Sequence, residues 1–170
     1  RFVFAGPCLR DRSGFQGIWK PRSPERPTLL VSLGTAATGW PEFFPMAVEA
    51  LADSPYEVIL AIGDHAAPQE LGELPSHITA QRHVPQLDVL KNATVFVTHG
   101  GMNSVMESLY HGVPMVVIPQ MNEQTANGLR VQELGLGIHL ERDNVTAEVL
   151  RDTIDRAVAD TDIAARVRVL

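Results

Sequence analysis

Thr98-His99-Gly100-Gly101-Met102-Asn103-Ser104-Val105-Met106-Glu107 is the stretch whose reading decides the fold. Before it runs Ala93-Thr94-Val95-Phe96-Val97, a short apolar, β-branched segment of the kind buried in a parallel strand. After the glycines, Met102, Val105, Met106 and Leu109 fall at i, i+3, i+4 and i+7, the spacing of one helical face. Strand, glycine turn and helix in that order aim unpaired backbone N–H groups, and the positive end of the helix dipole, at the space above the sheet. The predicted occupant of that space is an anion.

The same alternation extends to both sides. Upstream, strands are predicted over Thr28–Leu33, Tyr56–Ile62 and Ile78–His83, with a helix from Pro41 to Ala52 and a short one from Val84-Pro85-Gln86 through Leu90. Between them, Gly63 to Pro75 reads as loop. Downstream come a strand over Val113–Ile118, a helix from Asn122 to Leu134 closed by Gly135, a strand from Gly137 to Leu140 and a last amphipathic helix beginning at Thr146. Strands and helices alternating at this spacing predict an α/β fold, a doubly wound parallel sheet of about six strands with helices on both faces. Ligands of such sheets bind beyond the carboxyl ends of the strands, near the point where strand order reverses. Four polar tips fall on that edge: Ser32 to Thr35, His83 to Gln86, His99 to Ser104, and Pro119 to Gln124.

Residues 1–27 are broken by Gly6-Pro7, Gly14, Gly17, Pro21, Pro24 and Pro27 and read as a connecting segment, with Trp19 pinning it to the domain that follows. The chain begins with Arg1 and stops inside the helical pattern of residues 162–170, so it is expected to be part of a longer protein. At 170 residues and 45% hydrophobic it holds enough apolar mass for one core. No apolar run approaches the roughly 20 residues that span a bilayer, and Cys8 alone makes no internal disulfide, so a cytoplasmic location is expected.

Net charge is −6, which makes no general electrostatic case for nucleic acid or an anionic membrane. From Asn92 through Leu129 there is not one Lys or Arg. An anion held there depends on backbone amides, hydroxyls, an amide side chain and a histidine, which suits a small diphosphate ester and not a polyanion.

Each candidate side chain has two readings. Asn103 and Ser104 either contact phosphate or merely satisfy the helix N-terminus, and Glu107 either accepts from a vicinal diol such as ribose or is a solvated surface residue. His99 is a structural ring at a strand end or a hydrogen-bond donor to a diphosphate, the glycines beside it letting a ligand approach. Glu123 is an acid favoured by the helix dipole or, with Gln124, a reader of sugar hydroxyls. Gly34-Thr35 is a plain turn or a second glycine-assisted phosphate contact. Other chemistries lack their residues: no G-x-x-x-x-G-K-[ST] run, no G-x-S-x-G elbow and no His/Cys cluster of zinc spacing occurs, and Asp160-Thr161-Asp162 lies at a helix end away from the strand tips.

Taken together, His83-Val84-Pro85-Gln86, then His99-Gly100-Gly101-Met102-Asn103-Ser104-Val105-Met106-Glu107, Gly112-Val113-Pro114 and Pro119-Gln120-Met121-Asn122-Glu123-Gln124 resemble the signature of family 1 glycosyltransferases with the GT-B fold. The likeness is to the bacterial macrolide type that glycosylates antibiotics and other natural products. Ser32-Leu33-Gly34-Thr35 is similar to the family's first-strand loop, and Phe4-Ala5-Gly6-Pro7 to its interdomain linker. The resemblance implies a linker over residues 1–27 and, over 28–170, the C-terminal half of a two-domain enzyme, which binds a UDP- or dTDP-sugar. It implies that Val84 meets the base through its backbone, that Gln86 lies by the nucleoside and Glu107 by the ribose. His99, Gly101, Asn103, Ser104, Gly34 and Thr35 would hold the diphosphate, and Glu123 and Gln124 the sugar. It further implies inverting transfer to a small acceptor without metal or cofactor, the general base coming from an N-terminal domain, so that this portion alone binds donor without turnover. A separate donor subunit needing a partner chain, and a non-catalytic nucleotide-sugar-binding module, are the alternatives. One departure stands out: the position before Val84 is commonly a tryptophan stacking on the base, and here it is His83.

Overall fold

The computed structural model describes residues 17–34, 40–64 and 67–169; Thr35, Phe4-Ala5-Gly6-Pro7 and Cys8 lie outside them. Six strands form one sheet: β1 (Thr28–Ser32), β2 (Glu57–Ala61), β3 (Ile78–Gln81), β4 (Ala93–Thr98), β5 (Met115–Val117) and β6 (Gly137–His139). All pairs are parallel, in the order β3-β2-β1-β4-β5-β6. The order reverses between β1 and β4, so the glycine turn after β4 opens at the switch point where ligands of such sheets bind.

Why these runs are strands is visible in the two faces. Side chains alternate across a strand, and here both alternating sets are apolar. Leu29, Val31, Val58, Leu60, Val95, Val97 and Val116 point to one face, against α1 (Phe43–Leu51) and α5 (Ala147–Ala159), whose Phe43, Ala47, Leu51, Leu150 and Ile154 fill that layer. Leu30, Ile59 and Phe96 point to the other, under the short α2 (Gln86–Leu90) with Val89 and Leu90. Beside them, Met115 and Val117 pack with α3 (Met102–Tyr110), α4 (Asn122–Glu133) and α6 (Thr161–Val167).

Helix ends follow local chemistry. Gly135, at φ +65°, terminates α4 with its N–H on Gln132 and the Leu136 N–H on Val131, the paired bonds of a Schellman motif. Pro41 belongs to the turn before α1 and not to the helix itself. The helix expected from Thr146 ends at Ala159, and a second helix occupies the helical pattern expected over residues 162–170. Asp160 is extended, and its carboxylate accepts from the N–H groups of Asp162 and Ile163, both at 2.9 Å, so it caps a new helix. The break lets Leu150 and Ile154 serve one apolar layer while Ile163 and Val167 serve another. The loop expected over residues 63–75 contains a 3₁₀ turn, Pro68–Leu71.

The segment 17–27 lies on the domain, as expected for Trp19. That residue packs against the Leu30, Ile59 and Phe96 layer. Glu57, only 2% exposed, accepts from the backbone N–H groups of Arg22 at 2.8 Å and Ser23 at 3.2 Å. No helix of the described residues is long and apolar enough to cross a membrane.

Candidate functional site

Because every strand runs the same way, the tips after β1, β2, β3, β4 and β5 converge on one edge. The turn after β4 leads from Gly100, at φ +83°, into α3, whose N-cap is Gly101 in an extended conformation. Among the described residues no side-chain hydrogen bond caps that helix. Its first-turn amides therefore face the edge unaided by Asn103 or Ser104, which removes the capping alternative for both. Asn103 is exposed.

Glu107 is the larger correction to the surface reading. It is 1% exposed, and its Oε2 accepts from Gln86 Nε2 at 2.7 Å. Gln86 Nε2 also reaches Ser104 Oγ at 3.4 Å. The helical spacing of 104 and 107 puts them on one face, and Gln86 at the start of α2 meets that face from the neighbouring loop. A carboxylate accepts hydrogen bonds and donates none, and the Gln86 amide fixes the orientation of this one.

His99 sits between two glycines. A Cβ on Gly34 would lie 2.7 Å from Cε1 and Nε2 of its ring, and a Cβ on Gly101 would lie 2.5 Å from Nε2. The space left by these glycines is taken by the imidazole, so their first consequence is to seat His99 and not to admit a ligand directly. Nδ1 of His99 is buried and has no hydrogen-bond partner among the described residues. Burial lowers the pKa of His99 below its ordinary 6.5, with the Glu123 carboxylate opposing the shift. The ring is thus neutral at neutral pH, a donor or acceptor of hydrogen bonds and not a cation. His111 is likewise lowered, by burial and then Lys91, against Glu107 and Asp88.

A pH dependence of stability follows. For both histidines the folded pKa lies below the unfolded one, so the unfolded chain takes up protons first as pH falls. Their full stabilisation is present above about 6.5 and is progressively lost as pH drops through the folded values. Thermal unfolding is expected at a lower temperature at pH 5.5 than at pH 7.5, with the difference smaller in His99→Asn. An unchanged difference in that variant would count against His99 as a source.

The expected pairing of Glu123 with Gln124 does not hold in one respect. Glu123 is exposed, with Oε1 accepting from Asn127 Nδ2 at 2.9 Å, but Gln124 is 2% exposed and turns its Oε1 onto the N–H of Gln120 at 2.8 Å. The Gln124 carbonyl thus shapes the tip after β5. Asn127, which the sequence reading passed over, also donates to the Gly100 carbonyl at 2.8 Å and ties α4 to the glycine turn. Its i, i+4 spacing from Glu123 was the available signal. A second omission is Asp64, after β2, whose Oδ1 lies 2.8 Å from Nε2 of the exposed His83. Val84 is buried. Gly34, His83, Val84, Gln86, His99 and Gly101 follow the strand tips of this edge, and Asn103, Ser104, Glu107, Glu123 and Gln124 lie in the helices that start there.

Residues 46–169 match the family described as erythromycin biosynthesis protein CIII-like, C-terminal domain. The chain is 42% identical to NDP-glycosyltransferase YjiC of Bacillus subtilis (strain 168), covering 99% of this chain and 43% of that protein. Among solved structures, the calicheamicin glycosyltransferase CalG4 superposes with a TM-score of 0.89 at 39% identity, over 98% of this chain and 42% of that one. The glycosyltransferase VinC in complex with dTDP superposes with a TM-score of 0.73 at 25% identity, over 91% and 40%. The chain spans less than half the length of the proteins it matches.

Proposed function

We propose, because this chain belongs to the erythromycin biosynthesis protein CIII-like C-terminal domain family, that it binds a UDP- or dTDP-linked sugar and supports transfer of the sugar to a small natural-product acceptor. The observation that carries the reading is the buried Glu107 aligned by Gln86 beside the uncapped N-terminus of α3. A carboxylate acceptor for a diol next to a set of open amides for an anion is the pair of features a nucleoside diphosphate needs. The name of VinC's complex, with dTDP, supports the same class of ligand.

In this reading Val84 meets the base through its backbone and His83 covers it in place of an indole. The α3 amides, Gly34, Thr35, His99, Gly101, Asn103 and Ser104 hold the diphosphate. Glu123 takes sugar hydroxyls, and the Gln124 amide does so only through its nitrogen, since its carbonyl holds Gln120. Charge develops on the leaving diphosphate as the glycosidic bond to it breaks. Fixed amide dipoles and the neutral His99 are oriented for that charge before reaction, and no lysine or arginine stands in the segment from Asn92 through Leu129 to share the task. We place displacement with inversion at the anomeric carbon, without metal, and the base that deprotonates the acceptor outside these 170 residues.

Calorimetric titration of the chain with UDP and with dTDP tests the proposal. Saturable binding of at least one is expected, and absence of heat for both at millimolar ligand would overturn it.

A further inference from the structure

Helix α2 has two attachments within three residues. At its first position Gln86 donates to the buried Glu107. Two residues on, Asp88 accepts from the backbone N–H of Trp19 at 3.4 Å and pairs with Lys91. Trp19 itself lies against the apolar layer formed by Leu30, Ile59, Val84, Val89, Leu90 and Phe96, the layer on which α2 rests. The two attachments lie within a single helical turn. Both the Asp88 and Val89 N–H groups bond to the Pro85 carbonyl, so the turn moves as a unit. A shift of α2 at Asp88 therefore carries Gln86 with it.

We infer that Trp19 is a positioning residue for the nucleoside site: docked on α2, it holds Gln86 where it aligns Glu107, so that nucleotide binding and docking of the segment around Trp19 favour one another. The inference rests on the reading of Gln86 and Glu107 as nucleoside contacts. Farther along, Glu57 holds Arg22 and Ser23, and Arg26 Nη1 reaches the Ser54 carbonyl, so the coupled movement is confined to the part of the segment at Trp19. Linkage is reciprocal: whatever docking contributes to nucleotide affinity, the nucleotide returns to docking.

The chain has two tryptophans, so Trp40→Phe leaves Trp19 as its single indole reporter. Titrating that variant with UDP is expected to shift Trp19 emission with the half-saturation found by calorimetry. In the unsubstituted chain, UDP is expected to slow hydrogen exchange of the Trp19 amide. Trp19→Ala is expected to weaken UDP about fivefold, the low end of measured couplings, and to leave the affinity for inorganic pyrophosphate unchanged, because pyrophosphate has no ribose to report on Glu107. Should Trp19→Ala fold poorly, the exchange measurement decides by itself. If UDP binds the unsubstituted chain but neither emission nor exchange responds, the coupling is refuted while the donor-site reading survives. If UDP does not bind at all, both fall.

Discussion

Glu107→Gln is expected to weaken UDP binding about 10- to 100-fold, the range for removing hydrogen bonds to a charged acceptor, about 1.5–3 kcal/mol. The substitution keeps the shape of the side chain but replaces one acceptor oxygen by a donor. That NH₂ faces either the Gln86 amide, which already donates to this position at 2.7 Å, or a ribose hydroxyl that needs an acceptor. Thermal unfolding of the variant, measured alongside binding, separates loss of the Gln86 hydrogen bond from loss of the ribose contact. A ligand without the diol separates the role from its alternatives. With 2′,3′-dideoxy-UDP the difference between Glu107→Gln and the unsubstituted chain is expected to shrink to near nothing. His99→Ala, acting on the diphosphate, is expected to weaken both ligands alike. An undiminished loss for Glu107→Gln with the dideoxy ligand would mean that Glu107 acts through the fold and not through ribose.

Gly34→Ala is expected to cost about 2–5 kcal/mol of stability, from a left-handed backbone worth about 1–2 kcal/mol and overpacking worth about 1–3 kcal/mol. Gly34 has φ +81°, and the new methyl would stand 2.7 Å from the His99 ring. The ring must give way to admit that methyl, and a Cβ on Gly101 would collide with it as well, at 2.5 Å from Nε2. Urea unfolding of Gly34→Ala made in the unsubstituted chain and in His99→Ala gives the collision term by difference. In the His99→Ala background the penalty should fall to the backbone cost alone; a penalty independent of residue 99 would show that the ring is not what the glycine accommodates. UDP affinity should fall with Gly34→Ala as well, because a displaced His99 no longer faces the diphosphate.

Much of the architecture was legible along the chain. The apolar runs around Leu30, Ile59, Phe96 and Val116 became strands with both faces buried, and Gly135 became the glycine that ends α4. Local signals suffice there because strand alternation and helix closure depend on neighbours a few residues away. The last two helices are local patterns as well, but which layer each must reach is not; Asp160 starts the second where the layers change.

The site divides in the same way. The positions of Gly34, His83, Val84, Gln86, His99, Gly101, Asn103, Ser104, Glu107, Glu123 and Gln124, after the strand tips or in the helices that start there, follow from their places after predicted strands. What each side chain touches did not. Asp64 meets His83 across 19 residues, Gln86 meets Glu107 across 21, and Asn127 meets Gly100 across 27.

By itself, then, the chain's local pattern determined a parallel α/β sheet and an anion-accepting glycine turn at its carboxyl edge, because period, turn chemistry and the free amides of a helix start are all local properties. Tertiary structure alone decided that Glu107 is buried and aligned, that His99 is neutral and clasped by glycines, and that Gln124 turns inward. Those outcomes depend on desolvation and on partners brought together by the order β3-β2-β1-β4-β5-β6, which no local pattern specifies.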